Sequence, residues 1–342
     1  MKMQYPESRG AGAYLGSSHW RLVTPWAILW LLIVVECILW YQDSQILVNI
    51  LFWTLAISIG LNTAYLGFES RVLAVFFKVH PYAGADISNP DWRIIEFTGW
   101  GGNEPMGYFL PAKGDSKGLI LYMHGYRSSV GWAEKRILHL RDQGFDVAGI
   151  DMRGHGRCDL SRDWTLLKIA TDIEAFLDCI LAEYEEKPPV HFYGHSMGGF
   201  LAMRLSSKKS GWWGEKLVSI ILESPVASIP MLVKMWAGPL WKPSNFLIRR
   251  IIRNEAMRIH PDLPIRFMDA KVPQIGVTNI PVLTLQSKVD DTLGRSHYNT
   301  VKKHFKKNRE NKFHLISDLE HTTTLDSTTR KELVENWLSE RS

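Results

Sequence analysis

Cysteine is scarce in this chain. Its 342 residues contain only Cys37, Cys158 and Cys179. An odd number supplies no disulfide framework, and the spacings match no metal-ligand pattern. The three read as small apolar residues of a reducing compartment. Charge of one sign is also scarce. Lys plus Arg is 40 against 35 for Asp plus Glu, a net charge of +5, which excludes the strongly basic surface of a nucleic-acid binder. Internal repeats and low-complexity tracts are missing as well. The glycines at Gly99–Gly102 are not followed by a helix and do not form G-x-G-x-x-G, so they read as a hairpin turn and not as a phosphate cradle.

What the chain does have, near its N-terminus, is long apolar runs. Leu22 to Tyr41 is apolar apart from Thr24, Pro25 and Glu36, and Ile46 to Leu66 carries no charge at all. Each is about 20 residues long, enough to cross a hydrocarbon core of about 30 Å. Neither shows the polar face of a soluble helix. Only Gln42-Asp43-Ser44-Gln45 separates them, which predicts a transmembrane helical hairpin. Trp20, Trp26, Trp40 and Tyr41 fall near the ends, where aromatic rings favour the interface. Glu36 is costly inside a span and calls for a partner such as Asn49 or Asn62. Lys2, Arg9 and Arg21 precede the hairpin, Arg71 and Lys78 follow it, and the connecting loop has no basic residue. The positive-inside rule therefore places both ends, and the rest of the chain, in the cytoplasm. The expected organisation is a tail over 1–21, the hairpin over 22–67, a juxtamembrane linker over 68–91 and a catalytic domain over 92–342.

Inside that domain, Gly194-His195-Ser196-Met197-Gly198 fits G-x-S-x-G. Pro189–Tyr193 before it reads as a buried strand and Gly199–Leu205 after it as a helix. Strand, sharp turn, helix is the setting of a nucleophile elbow, and the glycines leave room where strand and helix approach. Upstream, the apolar run Gly118–Met123 ends in His124-Gly125, and the strand Asp146–Asp151 runs into Met152-Arg153-Gly154-His155-Gly156-Arg157. Downstream, Asp290-Asp291 follows the strand Pro281–Gln286, and His321 follows the strand Asn311–Ile316.

Together, Met123-His124-Gly125, Asp151–Arg157 and Gly194–Gly199 resemble the serine-hydrolase branch that includes monoacylglycerol lipases, lysophospholipases and serine aminopeptidase S33-type proteins. The resemblance covers roughly Trp92 to the C-terminus, and Cys158 stands where the family usually has serine. It implies an α/β-hydrolase fold, a mostly parallel central sheet flanked by helices, with a helical cap inserted at about 226–280. The order serine, acid, histidine is the one this fold uses.

Acyl transfer needs an activated nucleophile, and His321 is the base placed to take the Ser196 proton. His124, His155, His191 and His195 lie in or beside the strand motifs and read as structural. Asp290 is the expected acid, with Asp291 and Glu223 as alternatives. The resemblance implies the backbone N–H groups of Tyr126 and Met197 as the oxyanion hole, and the chemistry needs no cofactor and no metal. In the cap, Ile229–Trp236 and Ser244–His260 read as helices, with Ser244 as an N-cap. Arg249, Arg250, Arg253 and Arg258 beside Phe246, Ile248, Ile251 and Ile252 make the second one basic and amphipathic, a pattern that suits an anionic membrane surface or, equally, a cap helix packed on the domain with its arginines in water. The expectation is a membrane-anchored serine esterase acting on monoacylglycerol- or lysophospholipid-like substrates at the bilayer. A peptidase or amidase of the same fold, and a silent membrane scaffold, are the alternatives.

Overall fold

The computed structural model describes residues 30–31, 33–34, 45–77, 86–158, 163–207, 213–259 and 267–341. Its centre is an eight-stranded sheet. The strands are β1 (Arg93–Glu96), β2 (Met106–Leu110), β3 (Leu119–Met123), β4 (Asp146–Ile150), β5 (Val190–His195), β6 (Leu217–Glu223), β7 (Val282–Ser287) and β8 (Lys312–Ile316). Their spatial order is β1-β2-β4-β3-β5-β6-β7-β8. β2 runs antiparallel to both β1 and β4, and every pairing from β4 to β8 is parallel.

Both faces of this sheet are covered, so its central strands read as continuous apolar runs. In β3, Leu119, Leu121 and Met123 enter one core and Ile120 and Tyr122 the other. The first core holds helices α3 (Leu166–Leu181) and α4 (Met197–Ser206) and residues of α8 (Gly294–Phe305). The second holds α2 (Val130–Asp142) and α9 (Thr328–Ser339). Several helices start on a side-chain cap that satisfies an otherwise orphaned N–H. Ser129 accepts from the N–H of Trp132 at 3.0 Å and Ser327 from that of Arg330 at 3.1 Å. A short helix, α5 (Trp213–Lys216), leads into β6. The parallel register aligns the C-terminal ends of β3, β5, β6, β7 and β8 along one edge, with Met123 opposite Gly194 and His195 opposite Glu223. Ligands of open α/β sheets bind at that edge.

Between β6 and β7 lies the cap, built on α6 (Ile229–Ala237) and α7 (Trp241–Ile259). The sequence placed the start of α7 at Ser244, but the helix begins earlier. Pro243 falls in its first turn, where a missing N–H costs nothing. Arg250 and Arg253 are exposed on α7, whereas Arg258 is paired with Glu255.

The N-terminal region departs from the expected plan. The first predicted span, with Glu36, lies outside the described residues apart from Trp30, Leu31, Ile33 and Val34, which are helical. The second is α1 (Gln45–Phe76), 32 residues long. Among the described residues it is the one helix long and apolar enough to cross a membrane, over Ile50–Phe76, and its most apolar stretch is not buried in the protein. It does not stop near Leu66. It continues through Arg71 and packs its last turns on the cap, where Val72 joins Val233, Ile248, Ile251 and Ile252 in a third cluster edged by Phe68, Phe76 and Phe77. The stretch expected to be linker is thus, up to Phe76, helix with a core of its own.

This packing changes an expectation about truncation. From sequence, a chain starting near Ala83 is expected to be a soluble, folded hydrolase. In the structure that cut uncovers Val233, Ile248, Ile251 and Ile252. Each such side chain contributes about 1.5–3 kcal/mol when buried. Residues 83–342 should therefore melt at a lower temperature than 68–342 and bind more of an apolar dye. Equal melting temperatures would mean that the helix end adds nothing to the fold.

Candidate active site

Ser196 stands between β5 and α4 in a conformation that side chains seldom adopt, with φ 53° and ψ −112°. The glycines around it are required by space. A Cβ on Gly198 would lie 1.9 Å from the Met123 carbonyl oxygen, and one on Gly194 would lie 2.4 Å from the Gly198 carbonyl oxygen. Two backbone hydrogen bonds hold the turn. The Ser196 N–H donates to the Glu223 carbonyl at 2.9 Å, and the Val226 N–H donates to the Ser196 carbonyl at 2.9 Å. Arg127 and Ser224, on the loops after β3 and β6, also have positive φ, and with Ser196 they are the non-glycine residues in that region among those described. Backbone strain gathers at this one edge of the sheet, as it does at functional sites.

The structure brings Ser196, His321 and Asp290 together. His321 Nε2 lies 3.0 Å from Ser196 Oγ, and its Nδ1 lies 2.8 Å from Asp290 Oδ2. All three are buried, with exposures of 8%, 6% and 8% in the order Ser196, His321, Asp290. Burial works against the charge on Asp290. The hydrogen bond from His321 and its electrostatic pull, with the N–H groups of Leu293 and Thr292 on Oδ1 at 2.7 and 2.9 Å, outweigh it and hold the carboxyl below its usual range. An ionised carboxylate only accepts, so Nδ1 carries the proton and Nε2 is left to accept from the serine hydroxyl. Gln286 Nε2 donates to Asp290 Oδ2 at 2.6 Å and fixes its rotamer.

The alternative acids are placed elsewhere. Asp291 is exposed. Glu223 is buried beneath the elbow, ion-paired with Arg136 and with Arg330 at 3.7 Å, and accepts from the Tyr193 hydroxyl at 2.6 Å. Both oxygens are committed to holding the fold.

The histidines of the motifs serve the loops. His124 donates from Nδ1 to the Gly125 carbonyl at 2.8 Å and accepts at Nε2 from the Met152 N–H at 3.0 Å. Burial pushes it down to about 4, so it is neutral in this role. His195 bonds through Nε2 to the His321 carbonyl at 2.8 Å, which ties the elbow to the loop carrying His321. The Asp151–Arg157 motif is a brace. Asp151 accepts from the N–H groups of Val130 and Arg157 and from the Tyr108 hydroxyl. Arg153 is fully buried on Asp172 and also pairs with Asp163.

Tyr126 and Met197 both line the cavity that opens on Ser196. Met197 is the first residue of α4, where a helical N–H has no intrahelical acceptor. The loop before Tyr126 passes close by, since a Cβ on Gly125 would lie 3.2 Å from Ser196 Cβ. Among the described residues, no group of three His, Cys, Asp or Glu side chains is arranged to hold a metal ion. Cys158 and Cys179 are free thiols, and burial pushes Cys158 up to about 12.

Comparison with known proteins agrees with this architecture. A family model described as "Serine aminopeptidase, S33" matches residues 114–266. Over 184 residues the chain is 28% identical to caffeoylshikimate esterase of Arabidopsis thaliana, covering 49% of this chain and 55% of that protein, so the match spans about half the length of each. An esterase structure from Pyrococcus furiosus superposes with a TM-score of 0.55 at 18% identity, over 77% of this chain and 96% of its own. A thermostable carboxyl esterase of Bacillus coagulans gives 0.53 at 16% identity, over 74% and 98%. This chain has the α/β-hydrolase fold.

In this protein the cavity over Ser196 has a volume of about 460 Å³ and mostly apolar walls. Ser196, His321, Tyr126 and Met197, singled out from the sequence, line it, but much of the rest of its lining was not anticipated. Trp164, Trp236 and the end of α1, Val75–Phe77, all face it. The run Val72–Phe77 is apolar in the sequence, but nothing local ties it to residues about 50 to 160 positions away.

Proposed function

We propose that this protein is a membrane-anchored serine esterase that cleaves single-chain lipid esters such as monoacylglycerols or lysophospholipids. The observation that carries the reading is the hydrogen-bonded relay Ser196–His321–Asp290 opening onto an apolar cavity. Ser196 Oγ attacks the acyl carbon while His321 Nε2 takes its proton. The N–H groups of Tyr126 and Met197 receive the developing oxyanion. Collapse expels the alcohol, which takes the proton from His321, and leaves the acyl group on Ser196. Water then repeats the sequence, releasing the carboxylic acid and restoring the serine. Asp290 keeps the imidazole oriented and stabilises its cation throughout.

The description of the matching family model favours a second reading, hydrolysis of an N-terminal peptide bond. An aminopeptidase site needs a carboxylate for the substrate ammonium. The described lining residues include Arg127 and Arg253, with Arg136 already paired with Glu223, but no Asp or Glu. That charge balance suits a neutral or anionic ester. A panel of p-nitrophenyl esters, monoacylglycerols, lysophospholipids, a caffeoyl ester and aminoacyl amides separates the readings. Turnover of the amides alone would overturn the esterase.

Anchoring through α1, with the hydrolase domain on the cytoplasmic face, has its own test. Full-length protein should stay in the membrane pellet after carbonate washing, and a reporter fused at the C-terminus should read cytoplasmic. Release by carbonate would remove the anchor from this proposal.

A further inference from the structure

The end of α1 is built into the cavity. A helix leaves its last carbonyls without intrahelical partners, and here groups at the site supply them. The Tyr126 hydroxyl donates to the Val75 carbonyl at 2.7 Å, and Trp164 Nε1 donates to the Phe77 carbonyl at 3.1 Å. The Phe76 ring stacks on Trp236 of α6, with centroids 5.4 Å apart and planes 29° apart. Phe77 lies against Trp164 at 6.3 Å. The loop after β3, the segment before α3 and the cap thus all grip the same turn. Val75, Phe76 and Phe77 share the cavity wall with Ser196 and His321. Further up the same helix, Ile50, Trp53, Ile57 and Leu61 are exposed. One continuous helix therefore joins an apolar, uncovered surface to the inside of the site.

We propose that α1 is a substrate-binding element as well as an anchor. Its last turn forms the wall that holds the acyl chain, and the chain reaches Ser196 along this helix from the bilayer. The inference rests on the reading of the site as a lipid-ester hydrolase and adds the specificity-determining residues Phe76 and Phe77. It explains why the helix end is fixed to Tyr126, the residue expected to stabilise the oxyanion, when an anchor alone needs only a tether.

The test uses full-length protein in detergent micelles and compares kcat/KM for p-nitrophenyl decanoate and p-nitrophenyl acetate. Small changes in an apolar pocket alter discrimination by roughly tenfold or more. Phe76→Ala and Phe77→Ala should each lower the decanoate-to-acetate ratio by about that factor, mainly through KM for decanoate. Phe76→Leu should recover part of the ratio, which a merely misfolded protein would not do. Leu61→Ala, on the exposed part of the helix, should leave the ratio at its native value. A native ratio in both alanine variants would overturn the proposal, whether their two rates stayed the same or fell together. Fluorophosphonate labelling of Ser196 in the native protein separates the two levels. Labelling with an unmoved ratio refutes only the role of α1, and no labelling refutes the hydrolase reading together with it.

Discussion

Ser196→Ala should lower ester hydrolysis by about 10⁶-fold in kcat and abolish labelling by a fluorophosphonate probe, with the melting temperature kept. His321→Ala should cost a similar factor, because serine and base act as one unit. Asp290→Asn should cost less, about 10⁴-fold. The amide can donate to Nδ1, which would put the proton on Nε2, where it no longer accepts from the Ser196 hydroxyl 3.0 Å away. Asp291→Asn, an exposed change, should behave as the native protein. A normal rate for Asp290→Asn together with an inactive Asp291→Asn would move the acid by one residue, and a labelled Ser196→Ala would remove the nucleophile.

The elbow was legible because its requirements are local. A strand, a turn too tight for side chains and a helix must follow one another, and Gly194, Gly198 and Gly199 mark the contacts. The acid was less legible. Asp290, Asp291 and Glu223 all sit at strand ends in the right part of the chain. What separates them is long-range, namely the 2.8 Å contact to His321 in one case and the flanking Arg136 and Arg330 in another. The extent of α1 was hidden for a different reason. Hydropathy ends a span at Glu69 and Arg71, but backbone hydrogen bonding does not, and the helix runs on to Phe76 where the cap offers apolar partners. Helical stability comes mostly from such tertiary packing.

Glu223 carries the second large effect. Its carboxylate is buried against the guanidinium groups of Arg136 and Arg330, whose own exposures are 2% and 0%. Glu223→Gln keeps the shape and leaves two buried cations without their counter-ion. Breaking a buried pair in this way typically costs about 3–5 kcal/mol, a large part of the stability of a domain. The variant should unfold at much lower denaturant concentration, and its activity should fall with its folded fraction. Molecules that remain folded should still be labelled at Ser196, since neither oxygen of Glu223 touches the imidazole of His321. The pH dependence has a definite sign. Burial works against the ionised carboxylate, but Arg136 and Arg330 overcome it and hold Glu223 down at about 2 in the folded protein, against 4.5 ordinarily. The stabilisation is therefore complete above the ordinary value and lost as pH falls from there towards 2. The gap between native and Glu223→Gln stability should accordingly be constant near neutrality and shrink below about pH 4.5. A Glu223→Gln protein with native stability that no longer reacts with the probe would give this carboxylate a catalytic role and take the structural one away.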